Sequence, residues 1–533
     1  MKEIVDRVRR FVRSHETLVV LTGIALAAVV VHLPLLFGSF IDYDDQRQIY
    51  LNLIVKNFTW KNFVNVLSTN FAGKGAAPSF LLSMFNWYFT PNYAGFAAFN
   101  IGWLVATVFV FYRFSGLFLR EKAFRYVATL FFAVHSVNAD TYGWMSARCH
   151  ILGCPFALMC LIMWQKYQDE LYPVSRVKWY VLALLSTAVA VWNKGIYFMI
   201  PPLVVVYDLY RNRRLSLISV IDKIPVTAIA VLPLFYAPLK RDIGALEHPA
   251  MGSSLTSTLL NDAGLVMEYL YRLLIPGHTT VCVDVYPVDG LYDISTDASL
   301  LFMRMPPIFN IFAISLIVAS AVWMWGRFRA KTPFFALLFI GVALAPVMNI
   351  PPRWVEFGYR FELMPSTFFS VAFACVAGFI WQRATNKAQR LVVAAVVALL
   401  ITSHGAFSFL QSMSWRTNRT YWEACLESHP DALLCRNKLA IDLQRAKWPL
   451  AKVAEQYKIV HDYTRLRKPK RAPNTAERLA NIYTRMGRYE DAIFYYERSL
   501  LTEHHKGNRL RDLRKQVADL KTKIRRNGKS PRR

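Results

Sequence analysis

The sequence is poor in charge, and above all in acidic residues. Charged residues make up 18% of the 533 positions, and 35 Asp and Glu stand against 63 Lys and Arg. Hydrophobic residues make up 55%, and the mean hydropathy is +0.26. The apolar residues form repeated continuous runs of about 20 residues, which a soluble protein of this size would not normally show. Because the runs do not alternate with polar residues, they indicate transmembrane helices rather than the strands of a barrel.

Two further absences concern cysteine spacing and the N-terminus. The seven cysteines show no zinc-type spacing. Cys425 and Cys435 lie in the polar tail, where a disulfide can form if the tail is extracytoplasmic. The basic segment MKEIVDRVRRFVRSHE is followed by a run long enough to span, with no small-residue cleavage site before the next aspartates. We therefore expect an uncleaved first helix whose N-terminus is cytoplasmic.

About eleven apolar runs are predicted to span the membrane. They lie near 17–39, 94–117, 126–138, 151–165, 178–193, 196–210, 224–239, 307–326, 333–350, 363–382 and 391–411. The expected fold is therefore an all-α polytopic membrane protein.

The net charge of +28 would suggest nucleic acid in a soluble protein. Here the tail from Ser412 onward accounts for about +16, and the loops on one side of the spans carry most of the rest. The loop clusters are Arg7, Arg9, Arg10 and Arg13; Arg120, Lys122 and Arg125; Arg211, Arg213 and Arg214; Arg327, Arg329 and Lys331; and Arg383, Lys387 and Arg390. The positive-inside rule makes that side cytoplasmic, and an odd number of spans puts the tail in a periplasm or an ER lumen. We expect membrane lipids, and no nucleic acid, as partners.

The larger loops lie on the other side. The first outer loop, about 42–93, contains WKNFVNVLSTNF and PSFLLSMFNWYF, which are too short to span. These segments are either interfacial helices lying against the bilayer or ordinary packed loop segments. A second outer loop, about 240–306, contains VMEYLYRLLIPG.

The tail has a different character. The segment AERLANIYTRMGRYEDAIFYYERSL, Ala476 to Leu500, has the spacing of a tetratricopeptide helix pair, in which Gly487 allows the tight turn and Ala492 the close approach of the helices. A weaker copy, NKLAIDLQRAKWPLAKVAEQYKIV, precedes it. We therefore predict a transmembrane core over 1–411, a repeat domain over 412–505, and a basic helix ending in a disordered tip over 506–533. The repeats either dock a protein acceptor or form a structural cap.

Charged residues at membrane depth are candidate functional residues. Four clusters fall on the outer side: Asp42, Asp44 and Asp45; Asp140, Arg148 and His150 in HSVNADTYGWMSARCHIL; Lys194 in VWNKGIYF; and Arg353, Glu356, Arg360 and Glu362 in PPRWVEFGYRFELMPS. Each cluster alone also fits an interface anchor or a salt bridge. Together they suit transfer from a lipid-linked phosphate, with an acid acting as base on a hydroxyl and cations holding the phosphate.

The order of these motifs resembles the membrane-integral glycosyltransferases of the GT-C superfamily. The similar branch carries C-terminal tetratricopeptide repeats and includes the O-mannosyltransferases that act on cadherins and their bacterial relatives. The matching positions are Tyr43, Asp44, Asp45 and Asn52 for its acidic pair; His135, Asp140 and Trp144, then Ala147 and Arg148; Lys194 and Gly195; Asp222 to Pro225; and Arg360 to Ser366.

The resemblance implies a polyprenyl-phosphate sugar donor, an inverting transfer and an extracytoplasmic site. It makes Asp44 the catalytic base, with Asp45 and Asp140 as supporting acids. Arg148, Lys194 and Arg360 become contacts of the donor phosphate. His150 and Arg353 complete the predicted substrate-binding set. No metal ligand is assigned and no cofactor is required, although the carboxylates could hold a divalent ion.

The sequence also departs from the family pattern. Ser136, Asn138 and Asp140 replace Pro, His and Glu, Gly195 replaces an acid, and His150 stands where relatives often carry Asp. The sugar and the acceptor therefore stay open, with protein Ser/Thr favoured.

Two other classes of function are alternatives to this one. One is a polysaccharide or lipid glycan ligase that uses an oligosaccharide-diphosphate lipid. The other is a non-enzymatic transporter or scaffold, although no duplication of spans is visible. A bacterial inner membrane with a periplasmic tail is the predicted location, or an ER membrane with a lumenal tail if the protein is eukaryotic.

Overall fold

The chain is almost entirely helical wherever the structure describes it. The computed structural model describes residues 14–42, 44–68, 76–213, 216–236, 255–276, 302, 305–348, 358–428, 430, 432–467, 473–500 and 508–527. Across these ranges every regular element is a helix, which agrees with the all-α prediction. The chain divides into two compact units, Met1–Thr417 and Asn418–Arg533.

The first unit contains seventeen α-helices in the described ranges. They are α1 (Glu16–His32), α2 (Leu53–Lys56), α3 (Trp60–Ser68), α4 (Ala77–Phe89), α5 (Tyr93–Ser115), α6 (Lys122–Val134), α7 (Ser136–Gly143), α8 (Arg148–Asp169), α9 (Pro173–Asn193), α10 (Ile200–Tyr210), α11 (Leu217–Ile221), α12 (Ile224–Tyr236), α13 (Leu255–Leu274), α14 (Pro307–Phe328), α15 (Thr332–Leu344), α16 (Leu363–Arg383) and α17 (Lys387–Ser414).

Seven of these helices, within the residues described, are long and apolar enough to cross a membrane: α1, α5, α8, α9, α14, α16 and α17. They coincide with seven of the predicted runs. The other four runs form shorter helices, α6, α10, α12 and α15, of 11 or 13 residues. In the run near 126–138, the helix ends at Val134 because His135 adopts an extended backbone and begins α7. Mean hydropathy does not register such a break, so the predicted run near 126–138 continues past the end of α6.

Helix α8 lies at the centre of the first unit. Its span is 78% buried, whereas the spans of α14 and α17 are each 11% buried. The buried core continues into α15 and α16, where the rings of Phe339 and Phe368 stack with centroids 4.7 Å apart. A central α8 matters because its first turn carries Arg148 and His150.

One end of this helical bundle gathers the predicted basic loops that the structure describes; Arg7, Arg9, Arg10, Arg13 and Arg214 lie outside the described residues. Arg211, just after α10, donates to Asp169 at the end of α8 at 2.6 Å. Lys331, just before α15, donates to the carbonyl of Tyr210. Gln382 near the end of α16 donates to Glu121, just before α6, at 2.7 Å. We call this the basic end of the first unit; its cytoplasmic placement remains a prediction.

A buried ion network lies near the basic end. The Nζ of Lys223 lies 2.5 Å from Asp208 and 3.3 Å from Asp222, and Arg213 reaches the same two carboxylates at 3.0 and 2.6 Å. The indole of Trp164 donates to Asp208 at 2.9 Å. Asp222 and Lys223 begin the DKIP stretch, so the contacts described for that motif join α10 to the start of α12.

The first outer loop contains the two short aromatic helices, α3 and α4. Val66, Phe80 and Met84 are buried together, while the side chains of Trp60 and Tyr88 are exposed. Both segments are therefore helical with one apolar face inward. Their placement against a bilayer remains a prediction.

The second unit consists of six helices in the described residues: α18 (Asn418–Ser428), α19 (Leu433–Arg445), α20 (Leu450–Arg467), α21 (Pro473–Arg485), α22 (Tyr489–Leu500) and α23 (Asn508–Asn527). A disulfide joins Cys425 to Cys435. Gly487 has φ +75° in the turn between α21 and α22, and Ala492 is fully buried. These features fit the predicted helix pair, although the tetratricopeptide assignment itself remains a prediction. The tip at 528–533 lies outside the described residues.

Candidate active site

The predicted site residues collect at the end of the bundle opposite the basic end. There the first turn of α8 approaches the start of α5, since Arg148 donates to the carbonyl of Phe96 at 2.9 Å. The segment after α1 meets the end of α17, since the N–H of Ser39 donates to the carbonyl of Arg416 at 2.6 Å. Asn100 of α5 donates to the carbonyl of Tyr142 in α7 at 3.1 Å. We call this the site end.

Asp45 is the buried member of the acidic pair. Its Oδ1 accepts the N–H of Ser146 at 2.8 Å and the hydroxyl of Ser146 at 2.6 Å, and its Oδ2 accepts the N–H of Ile41 at 3.4 Å. Burial raises the pKa of Asp45 to about 6, while the hydrogen bonds from Ser146 oppose that rise and the charge of Asp44 adds to it. Asp45 is therefore a fixed carboxylate that joins the first outer segment to the α7–α8 hairpin.

Asp44 lies at the start of an unusual turn and remains half-buried. Its carbonyl accepts the N–H of Gln48 at 2.8 Å. Residues Gln46–Tyr50 then form a π-turn, which is closed by the N–H of Leu51 donating to the carbonyl of Gln46 at 2.7 Å. Such turns are rare and are frequent at functional sites. The side chain of Asp44 is therefore more exposed than that of Asp45.

Two motif residues at the site end have capping roles. The side chain of Asn52 caps α2 by accepting the N–H groups of Ile54 and Val55 at 3.1 and 3.4 Å. His135 caps α7, since its Nδ1 accepts the N–H of Val137 at 3.4 Å. Tyr43 lies outside the described residues.

Asp140 lies in a short helix whose eight residues are all buried. Burial raises the pKa of Asp140 to about 7, although the positive charge of Arg360 and the nearby indole of Trp415 both lower it. A carboxyl of this kind can change protonation state near neutral pH, which suits an acid or base at a reaction centre.

Two tryptophans and a cation surround Asp140. The rings of Trp144 and Trp415 stack with centroids 6.5 Å apart. The guanidinium of Arg360 lies 4.9 Å from the centroid of Trp144. Trp415 approaches the backbone so closely that a Cβ at Gly143 would lie 2.6 Å from its ring. Gly143 therefore allows the last span to close against α7.

Arg148 is the most buried cation among the predicted phosphate contacts. It is 2% exposed, and its Nη2 donates to Asn86 at 2.6 Å and to Phe96. Its Nε and Nη1 have no hydrogen-bond partner within the described residues. Asp45 interacts with it electrostatically. A buried guanidinium with two unused donors at the start of a helix has the chemistry of an anion site.

His150 and Lys194 are brought together through Tyr197. The hydroxyl of Tyr197 donates to the carbonyl of His150 at 2.6 Å, and its N–H donates to the carbonyl of Lys194 at 3.0 Å. The ring of His150 lies 6.0 Å from that of Phe361, and the side chain of Lys194 is half-buried. The hairpin after α9 and the first turn of α8 therefore belong to the same end. Arg353 lies outside the described residues.

The structure adds residues that the sequence did not single out as site members. Ser146 holds Asp45, and the indole of Trp415 lies beside Asp140. Glu362 was noted only as part of its cluster; it is fully buried and interacts electrostatically with Asp140 and with Arg272 of α13. The sequence signal for the role of α13 is the charged pair, Glu268 and Arg272, inside the apolar stretch VMEYLYRLL.

Metal ligands do not cluster in the described part of the chain. No three side chains of His, Cys, Asp or Glu come together there in an arrangement that fits a metal ion. The acidic residues of the site are instead engaged by Ser146, Trp415 and arginines.

No protein-family profile matches the sequence, and no curated protein matches it significantly. Solved structures of the oligosaccharyltransferase of Archaeoglobus fulgidus are similar to it. The apo form is 12% identical with a TM-score of 0.44, and the match covers 75% of this chain and 56% of that one. The form tethered to an acceptor peptide containing the NVT sequon is 13% identical, with a TM-score of 0.46 and coverages of 80% and 58%.

A third structure, of the same archaeal enzyme AglB with an inhibitory peptide and a dolichol-phosphate, is 14% identical with a TM-score of 0.43. The match covers 75% of this chain and 56% of that one. The chain thus spans little more than half the length of these proteins. At such identities and TM-scores, we assign neither activity nor substrate from the likeness.

Proposed function

We propose that this protein is an integral membrane glycosyltransferase. It moves a sugar from a polyprenyl-phosphate donor to an acceptor hydroxyl, with protein Ser/Thr favoured, by a single inverting displacement. The observation that carries the proposal is the arrangement at the site end. There several carboxylates and several cations, from distant parts of the sequence, lie where the apolar candidate spans end.

Asp44 is the proposed catalytic base. It is half-buried, whereas Asp45 beside it is buried and engaged by Ser146 and Ile41. An acceptor hydroxyl can reach Asp44, lose its proton to that carboxylate and attack the anomeric carbon. Asp45 supports the reaction by fixing the segment that carries Asp44.

Arg148, Lys194 and Arg360 are the proposed contacts of the donor phosphate. The unused Nε and Nη1 of Arg148 can donate to phosphate oxygens in a place with little water. As the bond between the anomeric carbon and the phosphate oxygen breaks, the electron pair stays on the phosphate. Fixed cations stabilise that developing charge. Polyprenyl phosphate leaves, and the new glycosidic bond forms on the opposite face of the sugar. The scheme requires no metal.

Asp140 is the proposed supporting acid of the donor site. It lies between Arg360, whose charge it partly balances, and the indole of Trp415. Its buried carboxylate attracts the guanidinium of Arg360 and so restrains that side chain. His150 and Arg353 are kept as proposed members of the substrate-binding set.

The reaction is proposed to take place outside the cytoplasm. The site end is opposite the basic end, which the positive-inside rule makes cytoplasmic. The disulfide between Cys425 and Cys435 supports the same orientation, since disulfides are rare in a reducing cytosol. We propose a bacterial inner membrane with the second unit in the periplasm, where its repeats dock the acceptor.

The test compares Asp44→Asn with Asp42→Asn, a matched change at an aspartate that is also half-buried. Membranes carrying each variant are supplied with a radiolabelled polyprenyl-phosphate sugar, and label is followed into proteins, lipids and surface polysaccharide. We expect transfer by Asp44→Asn to fall by at least about a hundredfold, as expected for loss of a general base, while Asp42→Asn retains it. Equal transfer by Asp44→Asn and wild type would contradict the assignment. If label appears in polysaccharide alone, the acceptor is a glycan and not a protein.

A further inference from the structure

The last turns of α13 are attached to three separate elements of the site end. The Nε2–H of His135, which begins α7, donates to the carbonyl of Leu273 at 2.9 Å. His404 of α17 makes the equivalent bond to Leu274 at 3.4 Å. Arg272 donates to the hydroxyl of Tyr359, in the turn that precedes α16. A helix from the predicted second outer loop is therefore hydrogen-bonded to the site end.

The charged pair of α13 is buried. The Nε of Arg272 lies 2.6 Å from Oε1 of Glu268, and the two side chains are 5% and 0% exposed. Oε2 of Glu268 also accepts the N–H of Phe302 at 3.2 Å. Burying an ion pair costs free energy that an apolar pair would not. A pair that only strengthened its own helix could lie on the exposed face at no such cost.

Arg272 points toward the Tyr359–Glu362 turn. Its guanidinium lies 5.0 Å from the ring centroid of Tyr359 as well as bonding to that hydroxyl. It also interacts electrostatically with Glu362, whose other charged neighbours are Glu268 and Asp140. The positive charge of Arg272 thus offsets the repulsion of Glu362 by Glu268 and Asp140. Arg360 lies within this same turn.

We propose that Arg272 is a positioning residue: anchored by Glu268, it holds the Tyr359–Glu362 turn so that Arg360 stays over Trp144 beside Asp140. The inference rests on the proposed function only for its kinetic readout. Without Arg272, the turn loses its bond at Tyr359 and its countercharge at Glu362. Arg360 then leaves the donor phosphate, and donor binding weakens more than turnover.

The kinetic test uses Arg272→Met, Tyr359→Phe and the charge-exchanged double variant Glu268→Arg/Arg272→Glu. For Arg272→Met we expect the donor KM to rise by about tenfold to a hundredfold, as for a misplaced substrate contact, with a smaller change in kcat. The double variant keeps an ion pair within α13 but places a carboxylate beside Glu362, so it should not restore the donor KM. A wild-type donor KM in the double variant would mean that the ion pair only stabilises α13, and it would overturn the proposal.

A second readout does not depend on activity. Hydrogen–deuterium exchange at amides 359–362 should be faster in Tyr359→Phe, which removes one oxygen atom and leaves the packing of the ring intact, while exchange in α8 stays unchanged. Unchanged exchange at 359–362 in Tyr359→Phe would overturn the positioning role even if the larger substitutions fail to fold. If wild type transfers no sugar but exchange accelerates as expected, the proposed function fails and the positioning role stands.

Discussion

If the proposed sugar transfer is correct, removing the hydroxyl of Ser146 should move the pH at which the protein loses that activity. The Oγ of Ser146 donates to a buried carboxylate oxygen of Asp45 at 2.6 Å, and the backbone N–H of Ser146 continues to donate after a Ser146→Ala change. A hydrogen bond to a charged group contributes about 1.5–3 kcal/mol. About 1.4 kcal/mol corresponds to a tenfold change in an ionisation equilibrium. The acidic side of the pH profile of sugar transfer should therefore move to higher pH by about one to two units.

The direction in which the pH profile moves follows from the raised pKa of Asp45. Burial already raises it to about 6, so the carboxylate is ionised above that pH and protonated below it. If Asp45 must be charged to hold Arg148 and the outer segment, wild-type transfer should fall as the pH drops through about 6. In Ser146→Ala the fall should begin at a higher pH, so the variant should be impaired at neutral pH and recover in alkaline buffer.

The assay is sugar transfer by purified protein in nanodiscs, measured from pH 5 to 9 with saturating donor. Ser320→Ala is the matched control, because the hydroxyl of Ser320 bonds only the carbonyl of Leu316 within its own helix at 2.8 Å. Its profile should coincide with that of wild type. An unmoved acidic limb in folded Ser146→Ala would refute the claim that Ser146 sets the charge of Asp45.

Three further outcomes can be checked by thermal unfolding in detergent. Gly143→Ala should lower stability by about 1–3 kcal/mol, because its Cβ would lie 2.6 Å from the ring of Trp415; an unchanged melting temperature would contradict that close approach. Lys223→Met should cost about 3–5 kcal/mol by leaving Asp208 with less countercharge in a buried network, and a loss below about 1 kcal/mol would mean that the network relaxes. Gly195→Glu should melt like wild type, because a Cβ there meets no atom within 4 Å, and destabilisation would show that an acidic side chain does not fit this turn.

The sequence predicted the long helices and missed the breaks in the short ones. Apolar runs identify spans because a bilayer requires a minimum length of continuous apolar helix. The interruption at His135 is a backbone feature of a single residue, and an average over many positions does not register it. The short helices α6 and α7 therefore could not be separated by hydropathy.

The residues that meet at the site end were predictable where charge was involved. Asp45, Asp140 and Arg148 stood out because ionisable residues are rare at membrane depth. Their partners did not, because serine and tryptophan are common at such positions and the contacts join distant parts of the chain. Ser146 lies 101 positions from Asp45, and Arg272 lies 87 positions from Tyr359. No local pattern records such pairings.

The π-turn at Gln46–Tyr50 determines what the deletion of a single residue at this point would do. A π-turn contains one residue more than an α-helical turn, and here it directly follows Asp44 and Asp45. Deleting one residue within it would let the turn close as an ordinary α-helical turn, and the bond from the N–H of Leu51 to the carbonyl of Gln46 would be lost. Asp44 and Asp45 would then lie one residue closer to Asn52, which caps α2. A single-residue deletion here therefore shortens the connection between the acidic pair and α2.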